Sequence, residues 1–113
     1  MEIQEYKLGA FIIDGKQFIG SIKIIENNKV RYWERETQIL DLKDIDELLR
    51  SNPEYLVVGT GAGGLLKIPD NIRQAVVLKG ISLVVGKTQE AIKRFNELSL
   101  SKKKVVGIFN SGS

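Results

Sequence analysis

The sequence predicts a single three-layer α/β domain built on a mixed sheet. Its 113 residues allow one domain with one hydrophobic core of ordinary size. Before about residue 33 the apolar residues come in short strand-like runs, and after it amphipathic helical stretches alternate with continuous apolar runs. That alternation is typical of parallel strands joined by crossover helices, which bury both faces of a sheet. We therefore treat residues 1–113 as one domain, with a β-hairpin region at 1–33 and an α/β region at 34–113.

Two antiparallel hairpins are predicted in the first region. Strand-like runs occupy residues 3–6, 10–13 and 17–25. Asp14-Gly15 separates the second run from the third, and both of its residues tolerate the positive φ of a tight hairpin turn. Asn27-Asn28 indicates a second turn, which leads from the long strand into a strand at residues 30–33.

The α/β region is predicted to open with a helix. Its apolar stripe includes Leu42 and Ile45, Asp41 is a suitable N-cap, and Asn52-Pro53 ends it. A parallel β-α-β-α-β unit follows, with strands at residues 55–58, 81–85 and 104–109. Its first helix runs from Pro69-Asp70 to Gly80, and Thr88 is expected to cap its second. Residues 110–113 are expected to form a loose polar tail.

The composition excludes several classes of chemistry. The chain has no cysteine and no histidine, so it offers no thiol nucleophile, no imidazole base, no Cys/His zinc site and no disulfide. We therefore expect no cofactor and favour a protein that is not an enzyme. The acidic, polar start differs from a secretory leader, and no run approaches the ~18 apolar residues of a membrane span, so we expect a cytoplasmic protein.

A glycine-rich loop at residues 59–64 is the most conspicuous motif. Its sequence, GTGAGG, follows a strand and matches the G-x-G-x-x-G pattern of dinucleotide-binding proteins. However, the next helix begins only near Asp70, Gly86-Lys87 stands where an acidic residue would hold the ribose, and too little chain remains for a second half-site. We therefore interpret the loop as a tight strand exit that needs positive φ at Gly61.

A second motif, Gly86-Lys87-Thr88, stands at a predicted helix start. It resembles the end of a phosphate-binding P-loop, but five residues separate it from Gly80 where four are required. A weaker hypothesis is that the helix amides and the Lys87 amine hold a small anion. The corresponding pocket would lie between the glycine loop and the helix start, and its candidate residues are Gly59, Thr60, Gly61, Lys87, Thr88 and Asn96.

Asn96 is included because of its place on the last helix. It lies at the border of the apolar stripe that contains Ile92 and Phe95, where asparagine is a poor helix former. The simplest explanation is a hydrogen bond to a backbone group, and we expect the glycine loop or the end of the first parallel strand to supply it.

The charge is unevenly distributed. Residues 1–54 hold 8 Lys and Arg against 11 Asp and Glu, whereas residues 55–113 hold 9 against 3. No aromatic residues alternate with the lysine triplet at 102–104, so we expect no nucleic-acid binding. Trp33 with Arg35 and Glu36 fits an exposed recognition patch or, as we favour, a tryptophan that covers the core.

Several segments resemble a small family of proteins of unknown function. The carrying segments are PEYLVVGTG at residues 53–61, LKIP at 66–69, TQEAIKRFN at 88–96 and VVG at 105–107, with a looser match at Trp33-x-Arg35-Glu36. The family includes archaeal hypothetical proteins, an assembly factor of mitochondrial respiratory complex I and an adipogenesis-associated cytoplasmic protein. The resemblance implies a three-layer α/β fold, no established reaction, and family positions at Gly59, Gly61, Thr88, Ala91 and Asn96.

The chain departs from that family at its end. Several relatives carry a His-x-Thr-Cys tail, whereas residues 110–113 here read Asn-Ser-Gly-Ser. Two hypotheses follow. The first is a non-enzymatic binding or assembly module with a protein partner, for which a homodimer is possible. The alternative is a small-molecule or anion-binding protein, with or without catalytic activity, that uses the pocket beside the glycine loop.

Overall fold

A computed structural model describes residues 1–34 and 37–113 of the chain. It contains eight strands: β1 (Ile3–Lys7), β2 (Ala10–Ile13), β3 (Lys16–Ile19), β4 (Ile22–Ile25), β5 (Lys29–Tyr32), β6 (Tyr55–Gly59), β7 (Ser82–Gly86) and β8 (Val105–Phe109). Its three α-helices are α1 (Leu42–Leu49), α2 (Asp70–Leu78) and α3 (Thr88–Leu100). The proposed patch role of Arg35 and Glu36 lies outside the described residues.

The N-terminal strands form a small antiparallel sheet in the order β1-β2-β3. Asp14 and Gly15 turn β2 into β3 with φ of 49° and 80°, which confirms the predicted hairpin. The prediction of one strand over residues 17–25 is wrong, because the strand is interrupted at Gly20, where φ is 113°. The Gly20 amide donates to the Gly9 carbonyl, and the chain then leaves the small sheet to begin β4.

The main sheet has five strands in the order β5-β4-β8-β6-β7. β6 pairs in parallel with both β7 and β8, whereas β4 pairs antiparallel with β8 and β5. The β4–β5 turn contains Asn27 and Asn28 at φ of 64° and 58°, as the second predicted hairpin requires. The mixed α/β fold predicted from the sequence is confirmed.

Apolar layers cover both faces of the main sheet. On one face α1 and α2 bury a core that includes Leu56, Val58, Val106 and Ile108 from the central strands. On the other face α3 and the small sheet enclose Val57, Val105 and Phe109. Alternate residues of β6 and β8 thus point into different cores, which explains their continuously apolar sequences.

Helix α1 begins with the Asp41 N-cap that the sequence predicts. The Asp41 carboxylate accepts from the Lys43 amide at 3.2 Å, and the Asp44 carboxylate accepts from the Asp41 amide at 2.9 Å. This reciprocal pair satisfies donors that the first helical turn leaves free. Trp33 is 4% exposed and packs in the core with α1, and its indole nitrogen is buried as well.

Candidate functional site

The three parallel strands end at the same edge of the main sheet. Gly59 of β6 lies in register with Gly86 of β7 and with Phe109 of β8. The segments that follow these strands are the glycine loop (59–64), the start of α3 and residues 110–113, which we call the C-terminal segment. The parallel topology therefore assembles the candidate site from three distant stretches of chain.

Thr88 lies at the centre of this site and is fully buried. Its hydroxyl accepts from the Gly61 amide at 2.8 Å and donates to the Asn110 carbonyl at 2.8 Å. The expectation that Thr88 caps its helix is wrong, because Lys87 is the N-cap and Thr88 is the first helical residue. Since the hydroxyl is used to join the loop to the C-terminal segment, it does not bond the amides of its own helix.

Glycine is required in the loop because neighbouring atoms leave no room for a side chain. Gly61 has φ of 105°, which confirms the predicted positive φ. A Cβ at Gly61 would collide with the carbonyl carbon of Ser113 and would lie 2.8 Å from the side-chain nitrogen of Asn110. A Cβ at Gly59 would approach the Thr88 hydroxyl to 3.0 Å. The glycines therefore allow backbone to pack on backbone, which accounts for the motif without a nucleotide.

Thr60 and Lys87 occupy the remaining predicted positions. The Thr60 amide and hydroxyl both donate to the Gly86 carbonyl, at 2.9 and 3.1 Å. Lys87 is exposed, and its aliphatic chain runs beside Gly64, where an added Cβ would lie 3.5 Å from it. Five of the six candidate residues therefore meet at this site, and ligand binding by them stays a prediction.

Asn96, the sixth candidate residue, lies outside this site and bonds to β1. Its side-chain oxygen accepts from the Ile3 amide and its side-chain nitrogen donates to the Ile3 carbonyl, both at 2.9 Å. The expectation of a backbone partner is confirmed, but the expected position of that partner, in the glycine loop or at the end of the first parallel strand, is wrong. Because α3 packs under the small sheet, the border of its apolar stripe faces β1 instead.

The C-terminal segment is bound to the loop, so the prediction of a loose tail is wrong. The Ala62 amide donates to the Gly112 carbonyl, and the Gly63 and Leu65 amides donate to the Ser113 carbonyl, at 2.8 to 3.1 Å. Polar backbone groups of a turn need partners, and this segment supplies acceptors to three of them.

Asn110 is a site residue that sequence reasoning missed. It is fully buried, its side-chain oxygen accepts from the Gly112 amide at 3.0 Å, and its side-chain nitrogen donates to the Thr60 carbonyl at 3.4 Å. The available signal was its position directly after a buried strand, where a polar side chain needs partners within the fold.

The small sheet also contacts the C-terminal segment. The Gly9 amide donates to the Ser111 carbonyl at 2.7 Å, and the Tyr6 hydroxyl donates to the same oxygen at 3.1 Å. Burial raises the pKa of the Tyr6 phenol above its ordinary value, since the charged phenolate would be poorly solvated there.

The chemistry available at this site is hydrogen bonding by backbone amides and hydroxyls, with the Lys87 amine and the Glu90 carboxylate as nearby charges. Across residues 1–34 and 37–113, no group of three or more histidine, cysteine, aspartate or glutamate side chains is arranged to hold a metal ion. No helix within those residues is long and apolar enough to cross a membrane.

The mixed α/β fold places the chain in a class of small proteins that share this architecture. Residues 3–110 match the family described as protein of unknown function (DUF498/DUF598), and the chain belongs to that family.

Solved structures share the fold over nearly the whole chain. A conserved hypothetical protein from Pyrococcus horikoshii OT3 is 26% identical, with a TM-score of 0.82 and full coverage of both chains. An outer membrane protein from Bartonella henselae is 24% identical, with a TM-score of 0.85 over 98% of this chain and 94% of that one. A Mth938-like domain protein from Bordetella pertussis is 21% identical, with a TM-score of 0.73 over 99% and 87% of the two chains.

Proposed function

We propose that this chain is a non-enzymatic binding module that holds a protein partner during assembly. The observation that carries the proposal is the outward face of α2. Val77 and Leu78 are 65% and 87% exposed, and they line one shallow hollow of about 370 Å³ with Arg73 and Gln74. Single exposed apolar residues are ordinary, whereas two adjacent ones that share a shallow hollow offer a small apolar contact surface to a partner.

The charge beside this hollow indicates the chemistry of the partner. Arg73 lines the same hollow as Val77 and Leu78, so a guanidinium lies beside the two apolar side chains. A partner that inserts an apolar side chain and presents a carboxylate to Arg73 would satisfy both features.

Two other observations support a binding role over catalysis. The chain has no histidine or cysteine, and the hydroxyl of Thr88 and the amides of the glycine loop are engaged in hydrogen bonds within the fold. The resemblance of the chain to a family that includes a complex I assembly factor also favours an assembly role.

Affinity capture from a lysate of the source cell tests this proposal. The bait is the purified chain, compared with Leu78→Asp and with Leu100→Asp, a matched change at a residue that is 85% exposed at the end of α3. We expect a partner that the unaltered chain and Leu100→Asp retain and Leu78→Asp loses at least tenfold. Equal recovery by all three proteins, or no specific recovery by any, would overturn the proposal.

Anion binding at the glycine loop is a second candidate. Its support is that the backbone amides of Ala62, Gly63 and Leu65 donate to carbonyl oxygens of the C-terminal segment, so these amides are already oriented toward oxygen acceptors. The side chain of Lys87 lies beside the loop. Deletion of residues 112 and 113 would release these amides. Calorimetric titration with inorganic phosphate should then show binding that Lys87→Ala weakens, and a titration without heat in both the full and shortened chains would reject this candidate.

A further inference from the structure

The free edge of the main sheet at β7 has features that the other edge strands lack. Among the described strands, each of the other edges carries charged residues: Glu5 and Lys7 in β1, Lys16 in β3, and Lys29 and Arg31 in β5. Charges on an edge strand oppose pairing with another chain. β7 has the sequence SLVVG, without a charge or a proline, and pairs with β6 over five consecutive residues without a bulge.

The hydrogen bonds to β6 show which backbone groups of β7 point outward. The Ser82 amide donates to the Glu54 carbonyl at 3.0 Å, and the Gly86 carbonyl accepts from the Thr60 amide at 2.9 Å. In a parallel pair, alternate residues direct both their N–H and their C=O to the same neighbour. Residues 82, 84 and 86 therefore face β6, whereas Leu83 and Val85 direct their amides and carbonyls toward the free edge.

We propose that the free edge of β7 binds the β7 strand of a second copy of this chain, antiparallel and centred on Val84. In that register, Leu83 of each copy lies opposite Val85 of the other. Both pairs exchange two N–H···O bonds, which gives four hydrogen bonds around a two-fold axis. The two five-stranded sheets then join into one continuous sheet.

The side chains of β7 fit this register. Leu83 packs against the core beneath α1 and α2, and Val85 points to the same face and is 36% exposed. Pairing places Leu83 of one copy beside Val85 of the other. Val84 points to the α3 face and meets its own counterpart, so both faces gain apolar cross-strand pairs.

The charges beside the edge favour a second copy as the occupant. A hollow of about 290 Å³ lies between β7 and α3, and its charged lining residues are Glu90, Lys93, Arg94 and Glu97. Two acids and two bases give no net charge, so the surface does not select a partner segment of one sign. Two copies of a surface with no net charge do not repel each other, whereas a surface of one sign would oppose its own copy.

This inference uses β7 and not the outward face of α2, so it stands or fails separately from the proposed function. Self-association is measured on the purified chain alone, whereas the assembly role is measured by capture of a different protein.

Cysteine crosslinking tests the register directly, because the chain contains no cysteine of its own. The Val84 pair at the axis is a non-hydrogen-bonded pair, for which the Cα atoms lie ~4.5 Å apart, within the range of a disulfide. We expect Val84→Cys to form a disulfide dimer under mild oxidation at least about tenfold faster than Val85→Cys, which lies opposite Leu83. Leu100→Cys is the control for exposure alone. Equal rates in all three variants, or a faster rate in Leu100→Cys, would overturn the proposal.

Sedimentation equilibrium tests reversible association. Val85→Pro removes an outward amide donor from each copy without removing a bond to β6, and proline is tolerated at such edge positions. Two of the four hydrogen bonds are lost, so the dissociation constant of the dimer should rise at least about tenfold. A thermal melt by circular dichroism checks that the variant is folded. If the unaltered chain sediments as a monomer at millimolar concentration, the proposal is wrong.

Discussion

Thr88 joins three stretches of chain with one hydroxyl. Its donor and acceptor functions are both used within the fold, by the Asn110 carbonyl and the Gly61 amide. A buried threonine in this role cannot be exchanged for valine despite the similar shape, since two backbone groups would lose their partner.

The first prediction follows from this arrangement. Thr88→Val should lower the free energy of unfolding by about 3 kcal/mol, because a buried amide and a buried carbonyl are left unsatisfied. Thr88→Ser keeps the hydroxyl and should cost only about 1 kcal/mol for the missing methyl group. Urea denaturation of the two variants measures the difference, and equal losses would show that the hydroxyl contributes nothing.

Gly61 allows a second prediction, with Gly80 as its matched control. Both have positive φ, but nothing lies within 4 Å of a Cβ at Gly80, whereas one at Gly61 meets the backbone of Ser113. Alanine at Gly80 should cost about 1 kcal/mol of backbone strain. Alanine at Gly61 should cost about 2 kcal/mol more, because the C-terminal segment must shift. Thermal or urea unfolding checks this order, and similar losses in the two variants would contradict it.

Tyr6 makes the stability of the fold depend on pH in the alkaline range. Burial raises the pKa of its phenol above 10.0 in the folded state, so the folded chain holds this proton more tightly than the unfolded chain. The resulting contribution to stability is complete below pH 10 and is lost as the pH rises through the folded-state pKa.

The third prediction compares the unaltered chain with Tyr6→Phe. From pH 9 to about pH 11.5 the stability of the unaltered chain should fall more steeply, because only it loses the phenol contribution. Urea unfolding across that range measures both slopes. Parallel slopes would mean that the Tyr6 pKa is the same in both states.

At the scale of secondary-structure elements, Asn96 ties α3 to β1. Its amide makes two hydrogen bonds with the backbone of Ile3, as a neighbouring strand would. Asn96→Leu should lower the free energy of unfolding by about 1–3 kcal/mol and speed hydrogen exchange at the Ile3 amide. Asn96→Asp keeps the acceptor for that amide and should retain more of its protection. Unchanged exchange in Asn96→Leu would contradict this role.

Elements with a local cause could be predicted from the sequence. The Asp14-Gly15 turn, the Asp41 cap and the positive φ of Gly61 each depend on one or two residues and their neighbours. The continuous apolar runs likewise identify β6 and β8 as buried strands. The break at Gly20 was missed because a glycine within a strand-like run marks either an ordinary strand residue or a departure from the sheet.

The candidate site depends on partners that are distant in sequence. The loop, the start of α3 and the C-terminal segment could be expected near one another from the parallel topology. Which carbonyl accepts from which loop amide is set by the packing of the last strand, so local pattern does not reveal it. For the same reason, Asn96 could be recognised as a hydrogen-bonding residue but its partner strand could not.

For the whole molecule, part of the positive charge of the second half is paired within the fold. Lys104 pairs with Glu26 at 3.8 Å and donates to the Ser51 carbonyl, so part of the lysine triplet is matched by the fold. The final prediction is that the purified chain forms no complex near micromolar strength with single- or double-stranded DNA at ~150 mM salt. Fluorescence anisotropy measures this. A micromolar affinity that falls steeply with salt and disappears when residues 102–104 become glutamate would contradict it.

The last strand in chain order lies in the middle of the main sheet. During translation β4 and β6 are synthesised well before β8, the strand that pairs with both. Until residues 105–109 have emerged, β4-β5 and β6-β7 are two unconnected pieces, each with an apolar strand open along one side. The small hairpins can form during synthesis, whereas the main sheet closes only after Phe109 is added. One side of β4 and one side of β6 therefore stay unpaired until β8 has been made, and the addition of that single strand covers both.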